Sequence, residues 1–217
     1  MSERSVTVVD YGVGNLLSVR RAFEHLGARV TISADHWAMR DAERLVLPGV
    51  GAFGNCAEAL GTRGLNEIVL NYVGTERPFL GICVGMQLLF TSSDEFGQHE
   101  GLNILAGSVT AIPGTDDRGR PHKIPHIGWT ALEVPDGCSH LLWQNGILRD
   151  IQPGTPVYFV HSFTASPVNS GVRLADAHYN GRLLSAAVCE NNITATQFHP
   201  EKSGAAGLQI LSNFLDL

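Results

Sequence analysis

The chain has 217 residues, 44% of them hydrophobic, and 21 acidic side chains against 15 Lys and Arg give it a formal net charge of −6. A chain of this size and apolar content buries one substantial core, which excludes a fibrous or disordered protein and predicts a single domain over residues 1–217. The acidic balance, with no Lys/Arg block to override it, argues against nucleic acid and anionic membrane surfaces and leaves small molecules and proteins as partners.

In chain order, Val6-Thr7-Val8-Val9 is a β-branched run closed by Asp10-Tyr11-Gly12. It is too short for a signal-peptide core or a membrane helix, so a soluble, unprocessed, cytoplasmic protein is expected. Leu16, Val19, Phe23 and Leu26 then recur every three or four residues before Gly27, predicting an amphipathic helix with a glycine cap. Residues 30–33 and 45–47 read as strands, the second running into Pro48-Gly49, and a helical stretch is expected after Gly54. The apolar strand 79–82 hands over to a helical run at 86–90. This alternation predicts an α/β fold, with a mainly parallel sheet and helices on both faces. After about Gly101 the texture changes to short β-rich runs such as 109–112 and 157–160, separated by Pro and Gly, which predicts an antiparallel β extension rather than a second domain. The chain closes with a strand at 194–198 and a helix at 205–215, on which Leu208, Leu211 and Leu215 share a face.

Four cysteines, Cys56, Cys83, Cys138 and Cys189, form no C-x-x-C pair, so neither a zinc site nor a disulfide framework is expected. Cys83 stands apart because of its neighbours. Gly81-Ile82-Cys83-Val84-Gly85 lies where a strand passes into a helix, and a nucleophile on such a sharp turn needs small residues around its crowded backbone. The turn aims the amide of Val84 at a developing oxyanion, and the helix N-terminus favours the thiolate. An isolated cysteine in an apolar run is more often a buried structural residue; glycines at both elbow positions reverse that preference.

A thiol nucleophile needs a base and an orienting acid. Gln197-Phe198-His199-Pro200-Glu201-Lys202-Ser203 follows a predicted strand and precedes the last helix, and Pro200 biases His199 towards extended backbone. His199 would then meet Cys83 across the carboxyl edge of the sheet, with Glu201 fixing its tautomer. Eight other histidines compete: His25 on the first helix, His36 in a polar loop, and His99, His122, His126, His140, His161 and His178, of which His161, ending a strand, is the hardest to set aside. The acid two residues on and the helix beyond favour His199. A third feature, Leu47-Pro48-Gly49-Val50-Gly51-Ala52-Phe53-Gly54, is a glycine-rich loop at the end of a parallel strand, where open α/β sheets place ligands, and its amides could complete an oxyanion hole. Gly12-Val13-Gly14 lacks the third glycine of a dinucleotide fingerprint, because Leu17 occupies that position, and reads as a tight turn.

Together these blocks resemble the class I glutamine amidotransferases, and within them the glutaminase subunits of imidazole glycerol phosphate synthase. The similarity runs nearly end to end, through Asp10-Tyr11-Gly12-Val13-Gly14-Asn15-Leu16, Pro48-Gly49-Val50-Gly51-Ala52-Phe53, the elbow with Met86-Gln87-Leu88-Leu89-Phe90, Lys123-Ile124-Pro125-His126-Ile127-Gly128-Trp129, Tyr158-Phe159-Val160-His161-Ser162 and the His199 block. The resemblance implies a flavodoxin-like sheet and a Cys83, His199, Glu201 triad. It also implies an oxyanion hole at Val50, Gly51 and Val84, and glutamine contacts from Gly49, Gly51, Gln87, His161 and Ser162. No metal or cofactor is implied. The implied partner is a (β/α)₈ barrel synthase, in a heterodimer, that consumes the ammonia in histidine biosynthesis. Val50, β-branched between two glycines, suggests a loop peptide that rests turned away from the oxyanion until the partner docks. Asn103, Thr130, Phe163 and Ala195 stand where the family commonly has Gly, Asn, Tyr and Gly. They keep open a paralogous role in sugar-nucleotide amination. A stand-alone γ-glutamyl cysteine hydrolase and a non-catalytic binding module also compete; a binding module would be expected to have lost one of the three triad residues.

Overall fold

β-branched and aliphatic runs that are apolar at every position need cover on both faces, and the central sheet of this protein provides it. The computed structural model describes residues 4–217. Its first half alternates β1 (Ser5–Val9), α1 (Leu16–His25), β2 (Arg29–Ser33), α2 (His36–Arg40), β3 (Leu45–Gly49), α3 (Phe53–Thr62), α4 (Leu65–Val73), β4 (Phe79–Cys83) and α5 (Val84–Gln87). Then come β5 (Phe90–Ser93), β6 (His99–Glu100), β7 (Leu105–Ala111), β8 (His126–Ala131), β9 (Pro156–His161), β10 (Phe163–Pro167), β11 (Arg173–Tyr179), β12 (Arg182–Glu190), β13 (Ile193–Thr196) and α6 (Gly204–Leu215).

The seven-stranded sheet has the order β11-β12-β13-β4-β3-β1-β2. From β2 to β13 every pairing is parallel, and β12 and β11 add antiparallel at the edge. The parallel part therefore has the 2-1-3-4-5 strand order of flavodoxin-like folds. β3 and β4 lie at its centre, and all five residues of each are buried. The β-rich half forms a four-stranded sheet, β10-β7-β5-β6, and the separate hairpin-like pair β8-β9. The expected antiparallel extension is thus largely present, but β5 pairs with β7 in parallel.

The helices cover the sheet as their spacing predicts. Helix α1 buries Val19, Ala22 and Phe23, and Phe23 meets Phe214 of α6 at 6.1 Å between ring centroids. Burying Val19 and Phe23 is worth about 1.5–3 kcal/mol each. Gly27, at φ +80°, ends α1: its N–H bonds Glu24 and that of Ala28 bonds Phe23, a Schellman closure that a Cβ would strain. Two expectations fail locally. His36 opens the short helix α2, whose N-cap Asp35 accepts from Ala38 N–H. The helix expected over 86–90 stops at Gln87, and Phe90 begins a strand. Tertiary pairing is the reason, since the carbonyls of Leu88, Leu89 and Phe90 accept from Leu102, Ile104, Leu105 and Asn103 instead of continuing the helix. Among the described residues no helix is long and apolar enough to cross a membrane.

Candidate active site

The carboxyl ends of β3, β4 and β13 converge, and the chain turns sharply at each. Cys83 closes β4 and is the N-cap of α5, with φ 55° and ψ −111°. A non-glycine residue there stores about 1–3 kcal/mol of strain, which the surroundings must hold in place. They do so through glycine. A Cβ on Gly85 would lie 1.9 Å from the Leu47 carbonyl oxygen, and one on Gly81 would lie 2.9 Å from that of Gly85. A bare Gly85 thus lets the elbow fit against β3, and a bare Gly81 lets α5 fold back over β4.

Beside it lies a cavity of about 180 Å³ lined by Val50, Gly51, Cys83, Val84, Gln87, Glu95, Val160, His161, Ser162, Phe163 and His199. His199 reaches it from the loop after β13, where its backbone N–H bonds the carbonyl of Tyr158. A Cβ on Gly207 would touch the Pro200 carbonyl at 1.9 Å, so α6 packs directly under this loop. His199 Nδ1 donates to Glu201 Oε1 at 2.9 Å, and both side chains are essentially buried. That bond leaves Nε2 for the thiol side. Nε2 makes no hydrogen bond of ordinary geometry, yet Cys83 is near enough to act on the imidazole, a loose contact of the kind that tightens when substrate binds. Burial works against a charge on His199; hydrogen bonding and charge from Cys83 and Glu201 outweigh it and lift the imidazole to about 10. The imidazole beside the Cys83 sulfur is therefore held protonated.

Of the expected glutamine contacts, Gly51, Gln87, His161 and Ser162 line the cavity. Gly49 does not. Its Cα faces Gly85 N, Tyr11 Oη and Val84 Cβ, each within 3 Å of where a Cβ would be, so this glycine serves the packing of β3 on the elbow. The carbonyls flanking it are held: Tyr11 Oη donates to Pro48 at 2.7 Å, and Cys56 Sγ to Val50 at 3.5 Å. Gly51 has φ +96°, a conformation suited to glycine.

Two side chains at the site escape sequence reasoning. Gln197 Nε2 donates to Cys83 Sγ at 3.7 Å, and its Oε1 accepts from Gln87 Nε2 at 3.0 Å. Glu95 points into the cavity from the loop after β5, with Oε2 accepting from Phe53 N–H at 2.6 Å. Gln197 belongs to the His199 motif, and its place on the strand side of the histidine is the available signal; nothing in the local sequence marks Glu95. Among the described residues no cluster of His, Cys, Asp and Glu is arranged to hold a metal ion.

The family model described as glutamine amidotransferase class-I matches residues 7–217. The chain belongs to the class I glutamine amidotransferase family. Similar amidotransferase chains include the imidazole glycerol phosphate synthase subunit HisH 1 of Legionella pneumophila strain Paris, 47% identical over 214 residues, covering 98% of this chain and 99% of that one. HisH of Geobacter metallireducens is 47% identical over 211 residues, 97% of each chain. The amidotransferase fold is also that of the structure of PurLQS from Thermotoga maritima, with TM-score 0.73 and 17% identity over 99% of this chain and 98% of that one. A crystal structure of a glutamine amidotransferase aligns with TM-score 0.70 and 17% identity over 97% of each.

Proposed function

We propose that this chain is the glutaminase subunit of imidazole glycerol phosphate synthase, a single cytoplasmic domain that releases ammonia from glutamine for a partner synthase in histidine biosynthesis. The observation that carries the chemistry is that Cys83 and His199 line one small cavity, with Glu201 bonded to His199 Nδ1 behind it. The Cys83 thiolate attacks the side-chain amide carbon, and amides at Val50, Gly51 and Val84 receive the developing oxyanion. His199 passes its proton to the departing nitrogen, leaving a glutamyl thioester that water cleaves. Gln197 supports the thiolate as a donor, and Gln87, Gly51, His161 and Ser162 surround the substrate. At about 180 Å³ the cavity is well below the ~300–1,000 Å³ of sites for larger ligands, which favours a free amino acid over a γ-glutamyl peptide.

Glu95 is the acidic side chain of the lining and suits the α-ammonium of an amino acid. Glu95→Gln keeps an acceptor for Phe53 N–H while removing the charge. It is expected to raise KM for glutamine by about tenfold or more, with kcat little changed, in steady-state assays.

The ammonia must be passed on, and a (β/α)₈ barrel subunit docking over the site would receive it. Exposed apolar residues support such docking: Phe96 against Phe163 of the lining, and Ile127, paired with Val160 of the lining, with Trp129 on the same face of β8. We further propose that the loop at Val50 completes its oxyanion hole only in the complex. Glutamine hydrolysis by the chain alone is then expected to be slow. The barrel subunit with its phosphorylated ribulosyl ligand should accelerate it roughly tenfold or more, the scale of ordinary coupling energies. Full-speed hydrolysis without a partner would contradict this dependence, and acceleration only by a barrel that aminates sugar nucleotides would move the chain to the paralogous role.

A further inference from the structure

Two buried histidines that the chemistry above does not use directly are joined to each other. In the β8-β9 pair His126 lies opposite His161, and His126 Nδ1 is 3.0 Å from His161 Nε2. His126 Nε2 is 2.8 Å from Thr130 Oγ1, and His161 Nδ1 is 2.8 Å from the Phe163 carbonyl oxygen. His126 also stacks on Phe159 and Tyr179, with centroids 5.0 and 4.2 Å away.

The direction of every bond follows from one fixed acceptor. A carbonyl only accepts, so His161 carries its proton on Nδ1 and offers a lone pair at Nε2. His126 must then donate from Nδ1, and its bare Nε2 accepts from the Thr130 hydroxyl. Both rings are held neutral: burial lowers His126 to about 4, and burial first, then neighbouring His126 and His199, lowers His161 to about 3. Phe163 O also accepts from Gln87 Nε2 at 3.1 Å, and Gln87 leads through Gln197 to Cys83. One polar chain thus runs from Thr130, half-buried on β8, to the nucleophile.

We propose that His126 and Thr130 are positioning residues that hold the cavity wall formed by His161, Ser162 and Phe163, through a hydrogen-bond chain anchored on strand β8 that donates in one direction from Thr130 to the Phe163 carbonyl. The inference rests on the glutaminase reading and adds to it a link between the strand that exposes Ile127 and Trp129 and the substrate side of the cavity. Without the chain, the Phe163 carbonyl and Gln87 lose their common register, and glutamine binding suffers before chemistry does.

The test uses the full chain with its barrel subunit. His126→Leu is expected to raise KM for glutamine about tenfold with kcat within about threefold, the effect of leaving the buried acceptor His161 Nε2 and the Thr130 hydroxyl unpaired. His126→Asn, whose amide nitrogen takes the place of Nδ1, is expected to return KM to within about threefold of wild type. Thr130→Val, nearly isosteric, should raise KM about threefold and carries the test if His126→Leu does not fold. Imidazole ¹⁵N spectra should show the proton on Nδ1 of both rings. An Nε2-protonated His161, a His126→Asn variant no better than His126→Leu, or an unchanged KM in Thr130→Val would overturn the proposal. Cys83→Ala separates the two levels: ammonia release that survives it overturns the glutaminase reading, whereas its loss alongside unchanged KM in the β8 variants overturns the positioning chain alone.

Discussion

Cys83→Ala is expected to lower ammonia release from glutamine by at least ~10⁴-fold while leaving the fold intact, because a nucleophile that forms a covalent intermediate has no substitute. The side chain is small and 4% exposed, so alanine removes the sulfur with little change in packing. The backbone strain at φ 55° is enforced by the packing of Gly85 on β3 and of Gly81 on the turn itself, not by the thiol, and should persist in the variant. Glutamine should still bind, which calorimetry on the variant can check. Retained turnover at even one-hundredth of the wild-type rate would mean that another group performs the attack.

Glu201→Gln should be the second most damaging change, lowering kcat by roughly 10²–10⁴-fold, since an amide can present the wrong partner to Nδ1 and lock the wrong tautomer. Its pH signature is distinctive. Although burial opposes the charged imidazole, Cys83 and Glu201 raise His199 above its ordinary value of about 6.5, so the native state holds this proton more tightly than the unfolded chain. The stability gained is fully present below about pH 6.5 and is lost as pH rises through about 10. Removing the Glu201 charge lowers the imidazole, so the alkaline limb of the kcat/KM profile should move towards acid, and the stability lost between those two pH values should shrink. A wild-type profile in Glu201→Gln would show that the carboxylate neither charges nor orients His199.

The parts of this site that the sequence displays are those where chemistry needs a particular backbone. Gly81 and Gly85 announce the elbow because a side chain at Gly85 would strike Leu47 and one at Gly81 would strike Gly85 and Met86, and Pro200 announces the stiff loop that carries His199 and Glu201. The alternation of apolar runs likewise displays the parallel sheet. What stays hidden is assembled across long separations. Glu95 follows a strand that begins at Phe90, where the expected helix over 86–90 gives way because pairing with residues 102–105 overrides the intrinsic preference of Leu88, Leu89 and Phe90. The Phe163 carbonyl, which accepts from His161 and Gln87, has no side-chain signature at all. Gly49 carries the opposite lesson, since it belongs to a binding loop by motif but packs behind the cavity wall.

The most direct test of Cys83 as the nucleophile is acid-quenched intact and peptide mass spectrometry of the complex during glutamine turnover. A glutamyl thioester is expected on Cys83 and on no other cysteine, appearing with glutamine and absent from Cys83→Ala. Ammonia release with no acyl adduct, or an adduct on Cys56, Cys138 or Cys189 in place of Cys83, would contradict attack by this thiol.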